Sequence, residues 1–167
     1  MTLEVALEAD EEWDSSGFSE QLVRRAAEAA IAESAFPQLA SSPRAVEISV
    51  LLTGDEKVRD LNAEYRGKHK PTNVLSFPMT DPDDLDANVA EPELLLGDII
   101  LAHGVCEAEA AEKGVSVEQH ATHLVVHGTL HLLGYDHHAD DEAADMEARE
   151  VRALARLGIA NPYEAMA

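Results

Sequence analysis

The chain has one cysteine, Cys106, in 167 residues. That excludes an internal disulfide and any cysteine-rich zinc module, and it fits a reducing compartment. Aromatic residues make up only 4%, so the core has to be built from Leu, Val, Ile and Ala, and an aromatic platform for stacking bases is not expected. Basic residues are also few. Twelve Lys and Arg stand against 33 Asp and Glu, for a net charge of −21 with histidine neutral. That balance argues against a broad phosphate-binding surface. No apolar run approaches the roughly 20 residues that span a bilayer, so no membrane association is expected. The opening MTLEVALEADEEW has neither a basic start nor a continuous apolar stretch. No signal peptide is expected, and the cytoplasm is the expected location. LLTGDEKVRD lacks the second glycine and the Lys-Ser/Thr pair of a phosphate loop. What is there, 46% hydrophobic and 27% charged residues, is the composition of one globular domain spanning residues 1–167.

Alternation in residues 2–8 suggests a first strand. Residues 18–35 have helical spacing, with Ser15 or Ser16 as cap and Pro37 as stop. AVEISVLLT at 45–53 reads as a strand, Gly54-Asp55 opens a helix, and Asn73 to Phe77 reads as a third strand. Residues 80–93 hold six acids and two prolines and are expected to form an exposed, mobile acidic loop. Residues 97–102 read as a fourth strand buried on both faces. Helices follow at 103–113, from the cap Ser116 to Leu133 before Gly134, and at 140–157. One small sheet mixed with helices implies an α+β or three-layer α/β domain.

Histidine carries the chemistry. Five of the eight fall within the eighteen positions from His120 to His137. His123, His127 and His131 are spaced i, i+4, i+8 and share a helix face. Imidazoles stacked this way gain nothing from packing and repel one another when protonated, a penalty that a shared divalent cation removes. The tightest pattern is H-x-x-x-H-x-x-G-x-x-H, from His127, His131, Gly134 and His137. Two ligands one helical turn apart, a glycine to turn the chain and a third ligand on its return make a three-nitrogen cradle with an open fourth position, as a catalytic zinc ion requires. His123 is either a supporting contact to these ligands or a histidine buried beside them. His69, His103, His120 and His138 read as structural or surface residues. Zinc peptidases share the spacing but place a glutamate general base after the first histidine, where this chain has Gly128. The cradle is present and that base is absent.

The basic residues are not spread evenly. Lys57, Arg59, Arg66, Lys68 and Lys70 share fourteen positions with only Asp60 and Glu64, a local charge of about +3. That is either a solvated helix face or an anion-binding patch. Cys106 reads as a buried thiol. Met146 reads either as a core residue or as packing beneath the metal site.

HGTLHLLGYDH at 127–137 resembles the signature of the YbeY family, bacterial endoribonucleases of ribosomal RNA maturation and ribosome quality control. LNAEYRGKHKPTNVLSFP at 61–78 and LGDIIL at 96–101 resemble two further blocks of that family, in the same order. The resemblance implies an α+β, zincin-like fold with a small mixed four-stranded sheet packed with helices. It implies one zinc ion held by His127, His131 and His137, and it places Arg66 at the family's functional arginine. A guanidinium there would grip a phosphate bidentately and offset charge in the transition state. Asn73 stands where the family often has Asp, so a carboxylate is missing there and Asn73 is left to position its loop. Asp98 and Asp136 are the remaining carboxylates of the matched blocks, read as caps or as orienting partners of a ligand histidine.

The expected function is therefore a single-strand-specific, zinc-dependent endoribonuclease acting on ribosomal RNA precursors. Lys57, Arg59, Lys68 and Lys70 are candidate RNA contacts, and ribosomal proteins or assembly factors are candidate partners. A zinc metallopeptidase-like hydrolase and a non-catalytic ribosome-assembly factor with a structural zinc are the alternatives. The sequence leaves the oligomeric state open.

Overall fold

The computed structural model describes residues 3–14, 17–37, 39, 45–80, 93–136 and 139–163. His137, His138, Ser15, Ser16 and residues 81–92 of the acidic stretch lie outside the described residues.

Four strands form one mixed sheet: β1 (Leu3–Ala9), β2 (Ala45–Thr53), β3 (Val74–Pro78) and β4 (Glu93–Ala102), in the order β1-β2-β4-β3. β1 runs parallel to β2 and β2 parallel to β4, whereas β3 is antiparallel to β4. Among the described residues the helices are α1 (Glu20–Ala32), α2 (Asp55–Arg66), α3 (His103–Lys113), α4 (Val117–Leu132) and α5 (Asp140–Arg156), with a 3-10 turn at Glu11–Trp13. This is the α+β class with a small mixed sheet.

Most elements lie where the residue pattern puts them, with shifts at their ends. β4 begins four residues earlier than expected, because Glu93, Leu94 and Leu95 also pair with β2, beyond a register slip between Glu47 and Ile48. Gly97 absorbs the irregularity at a φ of 145°. A Cβ there would stand 2.3 Å from the Phe77 carbonyl oxygen and 2.8 Å from Leu132 Cδ2, so only glycine lets β3 and α4 approach β4 this closely. The cap of α1 is Ser19, whose Oγ accepts from Leu22 N at 3.4 Å. Ser116 caps α4 as expected, accepting from Gln119 N at 3.0 Å.

The core is aliphatic. Ile31 of α1, Ile48 and Leu52 of β2, Leu96, Ile99 and Leu101 of β4 and Leu130 of α4 are all sealed within one cluster. A smaller cluster of Val58, Leu75, Ile100 and Ala102 joins α2 to the other side of the sheet. α4 is buried nearly all round, as its low amphipathicity requires. Two of its hydroxyls satisfy themselves against the preceding turn: Thr122 donates to the Glu118 carbonyl at 2.8 Å and Thr129 to that of Val125 at 2.7 Å. Met146 of α5 is a core residue, 1% exposed.

Cys106 is wholly buried in the same core. Burial pushes its thiol up to about 12, with Glu109 and Glu107 adding to the effect. A thiol at that value is about one part in ten thousand thiolate at pH 8. Native protein is therefore expected to resist a thiol-reactive disulfide reagent at pH 8, and protein unfolded in guanidinium to react at once, as followed by release of the chromophore.

Candidate metal centre and RNA cleft

α4 stops where Gly134 adopts a φ of 98°. Gly134 N donates to the His131 carbonyl at 3.0 Å and Tyr135 N to that of Leu130 at 3.0 Å, the bond pair of a glycine-terminated helix. The same turn folds the Tyr135 carbonyl back onto His131, whose Nδ1 donates to it at 2.8 Å. One helical turn earlier, His127 Nδ1 donates to Glu150 Oε1 at 2.9 Å.

These two bonds decide the tautomers. A carbonyl oxygen and a carboxylate can only accept, so each Nδ1 carries a proton and each Nε2 presents its lone pair. The two Nε2 atoms are 3.0 Å apart, with ring planes 82° to one another. Two lone pairs directed at one point form the donor set of a borderline-soft cation. Zinc–nitrogen bonds of about 2.0–2.1 Å at a tetrahedral angle would set the nitrogens about 3.3 Å apart. The pair fits such an ion after a shift of a few tenths of an ångström. Among the described residues no group of three His, Cys, Asp or Glu has metal-holding geometry. His137, the expected third ligand, lies outside them.

His127 and His131 are half-buried on the wall of an open cleft of about 740 Å³. Arg66, Lys68, Asn73 and Asp136 also line it. Arg66 is the last residue of α2, which Gly67 ends at a φ of 68°. Its side chain is exposed, donates to the Ser76 carbonyl at 3.2 Å and lies 6.0 Å from the centre of the Phe77 ring. The expected patch is split by the fold. Arg66 and Lys68 face the cleft, Arg59 is within 3.9 Å of Glu56 and 3.5 Å of Asp60, and neither Lys57 nor Lys70 is among the lining residues. Asp98 is not at the cleft either. It lies on the face of β4 opposite Ile99, in a shallow depression with Ala6 and Ser49.

Asn73 ties the cleft wall to the helices behind it. Its Nδ2 donates to Glu109 Oε1 at 3.0 Å, an oxygen that His120 Nε2 also approaches at 2.8 Å. Burial lowers the His120 pKa against the pull of Glu109, so this imidazole is held neutral in the interior. His103 meets Trp13 edge-on at 5.2 Å, and His69 is exposed.

Gly128, where a peptidase would carry its glutamate, faces the sheet. A Cβ there would meet Ile99 Cγ2 at 3.0 Å and Ser76 Oγ at 3.2 Å, so the position has no room for a proton-transferring side chain. Gly128→Ala gains helix propensity of up to about 1 kcal/mol but crowds a sealed, β-branched Ile99. Overpacking of this kind costs about 1–3 kcal/mol. A net loss of stability of about 1 kcal/mol is expected, read as a lower denaturation midpoint at unchanged slope.

Residue patterns missed two contributors. Glu150 is 1% exposed, and burial alone would raise its pKa. The hydrogen bonds that His123 and His127 donate, with their electrostatic attraction, outweigh burial and hold the carboxyl at about 2. The signal was a glutamate within the apolar stripe of α5, between Met146 and Ala153. Tyr135 was the other. Arg149 lies over its ring at 4.8 Å and its hydroxyl accepts from Ala35 N at 2.9 Å, so the turn that orients His131 is anchored to α5 and to the segment that follows α1.

The chain matches the family described as "Endoribonuclease YbeY" over residues 8–158. Among curated relatives, an endoribonuclease YbeY of Rhizorhabdus wittichii is 52% identical over 163 residues, 96% of each chain. One of Sphingopyxis alaskensis is 58% identical over 144 residues, 83% of this chain and 86% of the relative. A solution structure of a protein from Thermotoga maritima superposes with a TM-score of 0.56 at 21% identity, covering 98% of this chain and 97% of the other. At that identity the likeness concerns the fold.

Proposed function

The chain belongs to the YbeY endoribonuclease family, and from that membership we propose a zinc-dependent endoribonuclease that cuts single-stranded segments of ribosomal RNA precursors during ribosome maturation and quality control. The observation that carries the reading is the convergence of His127 and His131 Nε2, 3.0 Å apart, in the cleft that Arg66 also lines. His137 would complete the ligand set from the chain beyond Gly134.

Zinc held there would supply Lewis acidity to a phosphodiester. The protein's own part is to place and charge-balance the substrate. Arg66 and Lys68 offer donors to phosphate oxygens, and the guanidinium can take two of them at once. The Tyr135 carbonyl and the Glu150 carboxylate keep both ligand protons on Nδ1, away from the cleft. Gly128 itself offers no side chain where a peptidase carries its general base. The surface outside the cleft is strongly acidic, with the whole chain at −21, so nonspecific hold on RNA is weak. Selectivity then rests on partners, for which ribosomal proteins or assembly factors in the cytoplasm are the candidates. Among the described residues no helix is long and apolar enough to cross a membrane.

The test is purified protein on matched single-stranded and fully paired RNA, with metal analysis of the same sample. Cleavage confined to the single strand, abolished by a chelator and restored by zinc, is the expected result. Undiminished cleavage after the metal is removed would sink the zinc requirement. End-group analysis adds the chemistry: a 2′,3′-cyclic phosphate would mean that the ribose hydroxyl attacks first, and a 5′-phosphate facing a 3′-hydroxyl that water does.

A further inference from the structure

Four residues of α5 are buried, Met146, Glu150, Ala153 and Leu154, and Glu150 alone is charged. A carboxylate in that stripe is unfavourable unless its oxygens are satisfied. They are satisfied, and the donors come from the neighbourhood of one candidate ligand. Oε1 accepts from His127 Nδ1 at 2.9 Å and from His123 Nε2 at 3.0 Å. Oε2 accepts from the Tyr163 hydroxyl at 2.9 Å, and that ring meets His123 edge-on at 5.5 Å. His123 Nε2 also lies 3.2 Å from the Tyr163 hydroxyl, so its polar contacts stay within this cluster, and its Nδ1 is buried with no hydrogen-bond partner. A buried nitrogen left unmade is destabilising, so this imidazole is placed to deliver its Nε2–H to Glu150.

We propose that Glu150 is the positioning residue of the metal centre, fixing the tautomer and ring plane of His127, with His123 and Tyr163 locking the carboxylate in place. This rests on the metal reading above. A carboxylate behind a ligand imidazole also makes its free nitrogen a better donor, and removing such a partner typically weakens metal affinity 10–100-fold. A merely structural Glu150, gluing α5 to α4, would change stability and leave the affinity of the folded protein alone.

Three variants separate these roles. Glu150→Gln keeps an amide oxygen that can accept both imidazole protons while its NH2 meets Tyr163, so geometry persists and charge is lost. Glu150→Leu removes both. Tyr163→Phe frees Oε2 and removes the 3.2 Å contact with His123 Nε2, leaving both bonds to Oε1. Zinc affinity is read by chelator competition, and the His127 tautomer by 15N–1H correlation on metal-free protein. Expected are an Nδ1–H tautomer in the wild type and in Glu150→Gln, and a mixed one in Glu150→Leu. Zinc affinity should fall about tenfold in Glu150→Gln, about a hundredfold in Glu150→Leu, and less than in either for Tyr163→Phe. An Nε2–H tautomer in the wild type overturns the proposal, as does wild-type affinity in a folded Glu150→Leu. Should Glu150→Leu not fold, wild-type affinity in both other variants overturns it. A wild type that binds no zinc refutes the metal reading, and the tautomer still decides the role of Glu150.

Discussion

Arg66→Ala should keep its fold and its metal and lose most of its RNA cleavage. The side chain is exposed, and its one described hydrogen bond goes to the Ser76 carbonyl at 3.2 Å. Ser76 lies in β3, the edge strand of the sheet, opposite Ile99, and β3 should keep its antiparallel pairing with β4 whether or not Arg66 is there. An exposed guanidinium of this kind contributes less than about 1 kcal/mol, and a chain of this size moves its melting temperature by about 2–4 °C per kcal/mol. Melting should therefore change by no more than that. Cleavage should differ, because the guanidinium lines the cleft beside both histidines, where on the proposed function phosphate charge would develop. Loss of one such preorganised donor costs about a hundredfold to a thousandfold in rate. Arg66→Lys keeps the charge but not the fork and should recover only part of it. Zinc content, melting temperature and cleavage rate on the three proteins decide the matter. Wild-type cleavage by Arg66→Ala would make it an ordinary surface residue.

What the sequence made legible follows the range of the interactions involved. The spacing of His127 and His131 is local, and a helix converts it directly into convergence on one point. Gly134 is local too, since a left-handed residue after a helix is a glycine's role. The sheet was readable as four strands, but the slip between Glu47 and Ile48 was not, because it depends on how Leu132 and Phe77 crowd Gly97 from other elements. The basic stretch misleads for the same reason. Lys57, Arg59, Arg66, Lys68 and Lys70 are close in the chain, yet α2 turns Arg59 toward its own acids and leaves Arg66 and Lys68 at the cleft. Asp98 belongs to a block that resembles the family's, but strand alternation turns it away from the histidines. Glu150 is the converse. It lies 23 residues from His127 and meets it only because α5 packs on α4, so its sole trace in the sequence is a charge where the helix should be apolar.

That long-range contact should make the two candidate ligand histidines unequal when removed. Both His127→Ala and His131→Ala delete a converging lone pair, and each should lose zinc and with it cleavage of RNA. Zinc held there would bind the folded state, so its stabilisation should disappear as well. At metal a thousandfold above its dissociation constant that is about 4 kcal/mol, or about 8–16 °C in melting temperature for a chain of this length. The metal-free proteins should then differ from each other. His127→Ala strips a donor from Glu150, a carboxylate 1% exposed, and a buried charged acceptor left short costs about 1–3 kcal/mol or more. His131→Ala strips a donor only from the carbonyl of the half-buried Tyr135, where water can take its place. With chelator present, His131→Ala should melt near the chelated wild type and His127→Ala several degrees below it. Melting curves of the three proteins with zinc and with chelator give the comparison. Full zinc content in either variant would mean that the centre is misassigned. Equal metal-free melting temperatures would mean that Glu150 does not depend on His127.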